Sequence, residues 1–341
     1  MGPSISRRVG EHGAWAFTVG SRTNFSGFDL DRISRRFGVD AIQVGTDTSF
    51  RVEEVSSTGS MASWAEAGLT YGRTFNDEGD VRIHLAGTVK YVLGITGASF
   101  TFSSPVLTKD STVTSIDQIE LDYAIAVPKG GSPTGQGWNA DAGVIFEVMR
   151  HDYAEDLRPY WLRIGASVTD LGSVSFNKNA RSHRIRNGHT TTQELQDLHL
   201  SNLGAIDAAL SNLLLGYEGS SLVSRSFKMG LPTALHLSVD ICPTHHVAIR
   251  LEGVLGMRKP PNALSTRDQL SIVPRYETRM FAASLPISID RYGAQAIGVC
   301  LRYGGVMIGS DRLGGLVGLL DPVGTDVYLG FKLRFKEKAK S

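Results

Sequence analysis

Apolar and polar side chains alternate along this chain with period two, in segment after segment, and that feature confines it to β-structure with one apolar face per strand. Within residues 81–94, Val81, Ile83, Leu85, Val89, Tyr91 and Leu93 share one face, while Arg82, His84, Thr88 and Lys90 share the other. Residues 139–149 set Ala140, Ala142, Val144, Phe146 and Val148 against Asn139, Asp141 and Glu147. Tyr160, Leu162, Ile164, Ala166 and Val168 oppose Arg163, Ser167 and Thr169, and 235–242, 247–252, 296–304 and 327–335 repeat the scheme. The second face mixes glycine with charges of both signs.

Segments of this length match the 9–11 residues that a tilted strand needs to cross a bilayer, about twice the strand of a soluble sandwich. In lipid an open sheet edge leaves backbone groups unpaired, so such strands must close into a barrel with the apolar parity outward. The expectation is therefore all-β: an antiparallel transmembrane β-barrel of about 12–14 strands, one domain over 1–341, in a bacterial outer membrane. Candidate strands lie near 13–20, 40–53, 61–74, 81–103, 112–128, 136–150, 158–175, 223–241, 245–258, 267–289, 294–308 and 325–336. A run as long as 81–103 has room to conceal a hairpin. No stretch approaches the ~20 consecutive apolar residues of a membrane-spanning helix. Residues 1–8 lack the apolar core of a signal peptide, so the numbering is expected to begin at the mature chain.

Composition excludes several functions. Lys+Arg is 35 and Asp+Glu 34, which leaves no basic field for nucleic acid. The 38 glycines exceed ordinary usage and fit a chain of many turns and closely approaching strands. Cys242 and Cys300 have no metal-ligand spacing and read as two reduced thiols. Neighbouring His245 and His246 point to opposite faces of any strand and make a turn rather than a metal site. No cofactor is expected.

With a periplasmic C-terminus, the pieces 290–293 and 242–245 read as periplasmic turns, and 176–222, 259–266 and 309–324 as outer loops. Residues 190–214 read as a helix inserted in the longest loop. Thr191 and Glu194 form a capping box, and Leu195, Leu198, Leu203, Ile206, Leu210 and Leu213 follow at helical spacing. Such a helix either plugs or caps the barrel, or packs on its own neighbours. A shorter candidate covers 29–37.

Several motifs look familiar in their order. They are Trp64-Ala65-Glu66-Ala67-Gly68-Leu69-Thr70-Tyr71, Gly87-Thr88-Val89-Lys90-Tyr91-Val92-Leu93-Gly94, Gly137-Trp138-Asn139-Ala140-Asp141-Ala142-Gly143-Val144 and Arg163-Ile164-Gly165-Ala166-Ser167-Val168-Thr169-Asp170-Leu171-Gly172, followed by Gly230-Leu231-Pro232-Thr233 and Pro274-Arg275-Tyr276-Glu277. Over residues 40–336 the chain resembles an uncharacterised outer-membrane β-barrel family of Bacteroidota, some members of which carry an OmpA-like domain after the barrel. The family is broadly similar to fatty-acid-transporter barrels and to barrel subunits of type IX secretion. The resemblance implies a porin-like membrane protein but no established substrate or catalytic residue.

The interior parity supplies Glu66, Arg82, His84, Lys90, Asp141, Glu147, Arg163, Arg250, Glu252, Arg302 and Lys332, with Arg334 beyond. These charges either line an aqueous pore or pair across the lumen and close it. The second is favoured slightly, which makes a scaffold or accessory subunit of an envelope complex the leading function. A passive or selective channel for small or apolar molecules is the alternative. No sequence motif of an enzyme is present. Ser167, His84 and Asp141 have the residue types of a triad, but on different strands; the chain is read as a non-enzyme. On the last strand Phe331, Leu333 and Phe335 share an apolar face ending in an aromatic, which resembles the signal read by the barrel-assembly machinery through edge pairing. The expected partners are that machinery, outer-membrane lipids and envelope-complex subunits.

Overall fold

The computed structural model describes residues 3–28, 49–51, 56–75, 80–103, 106–110, 113–150, 159–191, 193–194, 203–313 and 327–331. The described strands of the first half are β1 (Ser4–Val9), β2 (Gly13–Phe28), β3 (Ser49–Arg51), β4 (Ser56–Phe75), β5 (Val81–Ser103), β6 (Val106–Asp110), β7 (Val113–Ala126), β8 (Gly135–Met149), β9 (Tyr160–Phe176) and β10 (Ala180–Thr191). One helix, α1 (Leu203–Leu215), follows. The second half holds β11 (Leu222–Ser224), β12 (Phe227–Gly230), β13 (Ala234–Ile241), β14 (Val247–Gly256), β15 (Gln269–Glu277), β16 (Phe281–Ser284), β17 (Ile287–Asp290), β18 (Gln295–Ile297), β19 (Val299–Tyr303), β20 (Val306–Ser310) and β21 (Tyr328–Phe331). All join one antiparallel sheet, so the fold is all-β as the alternation requires. No described helix is long and apolar enough to cross a membrane.

The main run of paired staves is β1, β2, β4, β5, β8, β9, β13, β14, β15, β16 with β17, β18 with β19, β20 and β21, within the expected range of strand number. Among the described residues β1 pairs only with β2, and β21 only with β20. The sheet is strongly curled. A flat sheet would hold β2 and β9 about 19 Å apart, four strand steps of ~4.8 Å. Arg22 of β2 nevertheless reaches Asp170 of β9 at 2.9 Å. The face that Arg22 shares is therefore concave, and the apolar parity is convex. Leu69, Tyr71, Leu85, Val89, Trp138, Leu237, Leu251, Leu270, Leu301 and Leu329 are all exposed on that outer face.

Two long runs hide hairpins, but not the one expected. Residues 81–103 form a single 23-residue strand. The run 267–289 instead reverses at 278–280, where the Thr278 amide donates to the Phe281 carbonyl at 2.7 Å and its hydroxyl accepts from the Phe281 amide. The run 294–308 reverses at Gly304-Gly305, with Tyr303 directly opposite Val306 and Gly304 at φ +57°. Such a turn suits glycine because one of the favoured two-residue hairpin turns takes positive φ at its first central residue. The first extra reversal corrects the end assignment. Turn 290–293 lies at the same end as connection 257–268, shown by Arg267 bonding Asp290, and so opposite to 242–246. The short turns 10–12, 242–246, 278–280 and 304–305 gather at one end, with the link from β8 to β9, and the long connection 257–268 lies at the other.

At the long-connection end the sheet branches. β5 pairs with β8 up to Gly94 and with β7 from Gly97 onward, while β9 pairs with β13 below and with β12 above. β7 and β10 continue the wall beyond the main run. β10 forms within the stretch 176–222 that the alternation pattern assigns to an outer loop. α1 rests on the outer face of this extension, with Leu210, Leu213 and Leu214 against Ile119, Ile185 and Tyr123. It occupies no interior space, so the plug-or-cap alternative does not hold for Leu203–Leu215. The capping box is present: the Thr191 amide donates to Glu194 at 2.9 Å, and the Glu194 amide returns to the Thr191 hydroxyl. Leu195, Leu198 and the candidate helix at 29–37 fall outside the described residues.

Candidate functional site: the interior

Two irregularities in β9 decide what faces inward. Between Val148 and Met149 of β8 the register slips, which turns Tyr160 inward (7% exposed) and Trp161 outward. Between Ala140 and Ala142 a second bulge places two β9 residues opposite one, and Asp170 adopts φ +55°. Bulges re-aim a side chain by breaking the alternation. By parity Asp170 belongs to the outer face; the bulge swings its carboxylate into the interior, where the residue is 6% exposed.

Asp170 is the centre of the site. Its carboxylate takes Arg22 at 2.9 Å, the Asn139 amide at 2.7 Å and Lys90 at 3.5 Å. Its backbone amide donates to Asp141 at 2.8 Å, and its carbonyl accepts from the Thr233 hydroxyl. Lys90 also pairs with Asp141 at 2.6 Å, and Arg22 with Glu66 at 2.7 Å. Gly68 makes room for the lysine stem, since a Cβ there would lie 3.0 Å from Lys90 Cγ. Side chains from β2, β4, β5, β8 and β9 thus meet at one level. Buried charges survive only when paired, because the transfer from water costs several kcal/mol per ion.

Toward the short-turn end a second group forms. Glu147 bonds His84 at 3.0 Å and pairs with Arg163 at 2.8 Å, while Arg163 lies over the Tyr160 ring. Asp240, 1% exposed, takes the Tyr160 hydroxyl at 3.1 Å, Arg275, and Arg250 at 3.8 Å. Toward the other end an apolar layer covers the charged one. It contains Trp64, Val92, Val174, Phe176, Met229, Leu231 and Leu264. The Trp64 indole donates to Glu66 and joins the two layers. Leu264 comes from connection 257–268, expected as an outer loop but folded inward as a strap. Its amide donates to Gly230 and Gly230's to Asn262; the Ser60 hydroxyl reaches Ala263 at 2.7 Å, and the Ser265 amide reaches Ser26 at 2.9 Å.

The structure brings Glu66, Lys90 and Asp141 together in the first group, and His84, Glu147 and Arg163 in the second. Arg82 stands opposite Glu147 in register. Glu252 and Arg302, on β14 and β19, have no ion pair among the described residues. Lys332, Arg334, Leu333 and Phe335 lie outside those residues, and Phe331 is 72% exposed on β21. His84 bonds Thr74 and Glu147, and Asp141 bonds Lys90 and the Asp170 amide, so no triad forms with Ser167. Sequence reasoning missed Arg22, Asn139, Tyr160, Asp170, Asp240 and Arg275. Asp240 sat on the inward parity in plain view. Asp170 and Tyr160 were hidden by bulges that no alternation pattern marks.

The extension holds its own polar cluster. Asp207 of α1 accepts from Tyr123 at 3.2 Å and Arg181 at 2.9 Å, and lies 3.6 Å from His183. His183 bonds Ser221 at 2.8 Å and stacks on Tyr123. The Ser221 residue is 1% exposed and offers no accessible nucleophile. Burial, aided by Arg181, holds the His183 pKa below its ordinary value against the pull of Asp207. A histidine depressed in the fold is protonated first in the unlocked state. The docking of α1 therefore keeps its full strength above about pH 6.5 and weakens as pH falls below that value. Amide exchange over 203–215, corrected for intrinsic rates, is expected to be faster at pH 5 than at pH 7.5. The acceleration should shrink in His183→Gln.

Curled antiparallel sheet, apolar convex face and a concave face stitched by ion pairs define an all-β, barrel-type fold. The chain belongs to DUF5723, a family of unknown function, which matches residues 3–311. No curated protein matches. Among solved structures the chain is similar to the crystal structure of BauA, the ferric preacinetobactin receptor from Acinetobacter baumannii, at 8% identity and a TM-score of 0.24. That match covers 97% of this chain and 54% of the receptor, so the chain spans about half the receptor's length; the likeness is too slight to carry an argument.

Proposed function

We propose that this protein is an outer-membrane β-barrel with a closed interior, serving as a scaffold or accessory subunit of an envelope complex. The occlusion around Asp170 and the strap carries the proposal. A pore needs a continuous wet path, whereas here charged side chains from five strands pair with one another and an apolar layer lies above them. The outer face supports a membrane setting. Tyr91 and Trp138 meet edge to face near the long-connection end, and Trp161, Tyr276 and Tyr303 are exposed near the other. Ten residues of tilted strand separate the levels of Trp138 and Val148, about 26 Å along the axis, which fits the ~25 Å apolar band of such barrels. Glu252 and Arg302 favour the alternative, a channel for small or apolar molecules, because unpaired interior charges suit water. A scaffold is expected to leave the membrane with its partners. After gentle solubilisation and cross-linking from its native envelope, the chain should migrate as part of a larger assembly; a monomer alone would count against the scaffold.

A further inference from the structure

Beside the strap, at the long-connection end, lies a cleft of about 230 Å³ that the interior network does not use. Its lining includes Arg258, Lys259, Arg267 and Arg291, together with the aromatic side chains of Phe25 and Tyr292. Two of the cations are compensated. Arg267 pairs at 3.1 Å with Asp290, a carboxylate only 8% exposed, whereas Arg291 pairs with Asp268 at 3.6 Å from side chains 56% and 30% exposed, so the second bond is the weak and exchangeable one. Arg258 and Lys259 have no carboxylate partner among the described residues. Two uncompensated positive charges at one concave place stand out in a chain whose whole formal charge is +1. Asp268 also lines the cleft, against four cations, and a cleft with an excess of one sign focuses its field on an ion of the other.

The charge, the size and the donors favour one chemistry. Two free cations match a phosphate dianion better than a single carboxylate. A guanidinium fork grips two phosphate oxygens, and an ammonium adds a point charge. The weakly held Arg291 can swing from Asp268 toward an added anion. Hydroxyls of Ser26 and Thr266 also line the cleft, but their hydrogens are taken by the Ser265 and Pro232 carbonyls, so the cations carry the recognition. We infer that this cleft binds a phosphate-bearing anion, with Arg258 and Lys259 as its principal ligands. Phe25 and Tyr292, 63% and 68% exposed, place an apolar rim beside it. If the chain sits in an outer membrane, as proposed above, a phosphorylated lipid headgroup and a soluble phosphate compound both reach the cleft.

The test uses the full chain in a neutral detergent. Inorganic pyrophosphate, titrated by calorimetry at low ionic strength, should bind saturably, and the affinity should fall steeply as salt rises. Lys259→Ser should weaken it about fivefold to tenfold, and Arg258→Ser/Lys259→Ser should abolish it. Arg258 belongs to the strap and packs its side chain over Gly230, so the exposed Lys259→Ser is the variant that tests binding without risk to the fold. No saturable binding, or equal binding by wild type and Lys259→Ser, would overturn the inference. Native mass spectrometry with diphosphoryl lipid A, and with the same lipid stripped of its phosphates, separates the sources. Retention of the phosphorylated form alone, displaced by pyrophosphate, assigns the headgroup; pyrophosphate binding without lipid retention assigns a soluble ligand. The titration does not depend on whether the interior conducts, so its failure and that of the closed-barrel reading are distinguishable.

Discussion

Asp170→Asn is expected to lower the unfolding free energy of the protein by about 3 kcal/mol, the cost of removing one partner from a buried charge pair. The substitution isolates charge. Asparagine has nearly the same size, tolerates the +55° φ of this bulge position better than most residues, and keeps one acceptor for Asn139 or Arg22. What it removes is the anion facing Arg22 and Lys90, two cations 40% and 10% exposed at their side chains. Glu66 and Asp141 remain to hold them, which keeps the cost below that of orphaning both. Asp170→Ala should cost more, because the amide and the strained backbone then lose their side-chain support as well. The shift of the urea midpoint in a refolding detergent measures both. A change below 0.5 kcal/mol in Asp170→Asn, the scale of an ordinary surface substitution, would show that the interior cluster is a solvated set of charges.

Phe176→Ala should cost about 3–5 kcal/mol, as for other fully buried aromatic side chains. Phe176 is 0% exposed and stacks on Phe227 at 5.0 Å. Glycines shape its socket: a Cβ at Gly94 or Gly97 would lie 2.7 Å from the ring. Those two glycines mark the point where β5 leaves β8 for β7, so the ring sits in the fork of the branching sheet. Loss of the ring should loosen β7 and β10 before the main run. Hydrogen exchange is expected to show faster amides in 180–191 than in 81–94. Equal loss throughout would mean that the fork is not a separate cooperative unit.

The strands were legible because alternation is a property of every residue in them. The convex face follows from Leu85, Val89, Val144 and Leu237 alone, and the exposure of each agrees. The paired interior was half legible, since Lys90, Asp141, Glu147 and Arg163 sit on the inward parity of regular strands. What stayed hidden depends on single irregularities or on contacts distant in sequence. The bulge at Asp170 reverses the parity of the residue around which the site is built. The strap reads as an ordinary polar loop, because Leu264 is one apolar residue whose partners lie on β4, β9 and β12. The extra reversal at 278–280 carries no glycine or proline to announce it, unlike Gly304-Gly305, and so the end of turn 290–293 was misplaced by one strand. β10 was lost because Arg181, His183, Arg184 and Arg186 give it a charged surface on both sides.

Ion conductance of the purified, refolded protein in a planar bilayer addresses the proposed closed interior most directly. The wild type should be silent at physiological salt. Replacing 258–266 with a short Gly-Ser linker removes the strap and Leu264, and should open measurable steps while the strands stay folded by circular dichroism. Stable, ohmic conductance steps from the wild type, abolished by neither refolding nor dilution, would contradict a closed barrel and leave the channel as the function of this protein.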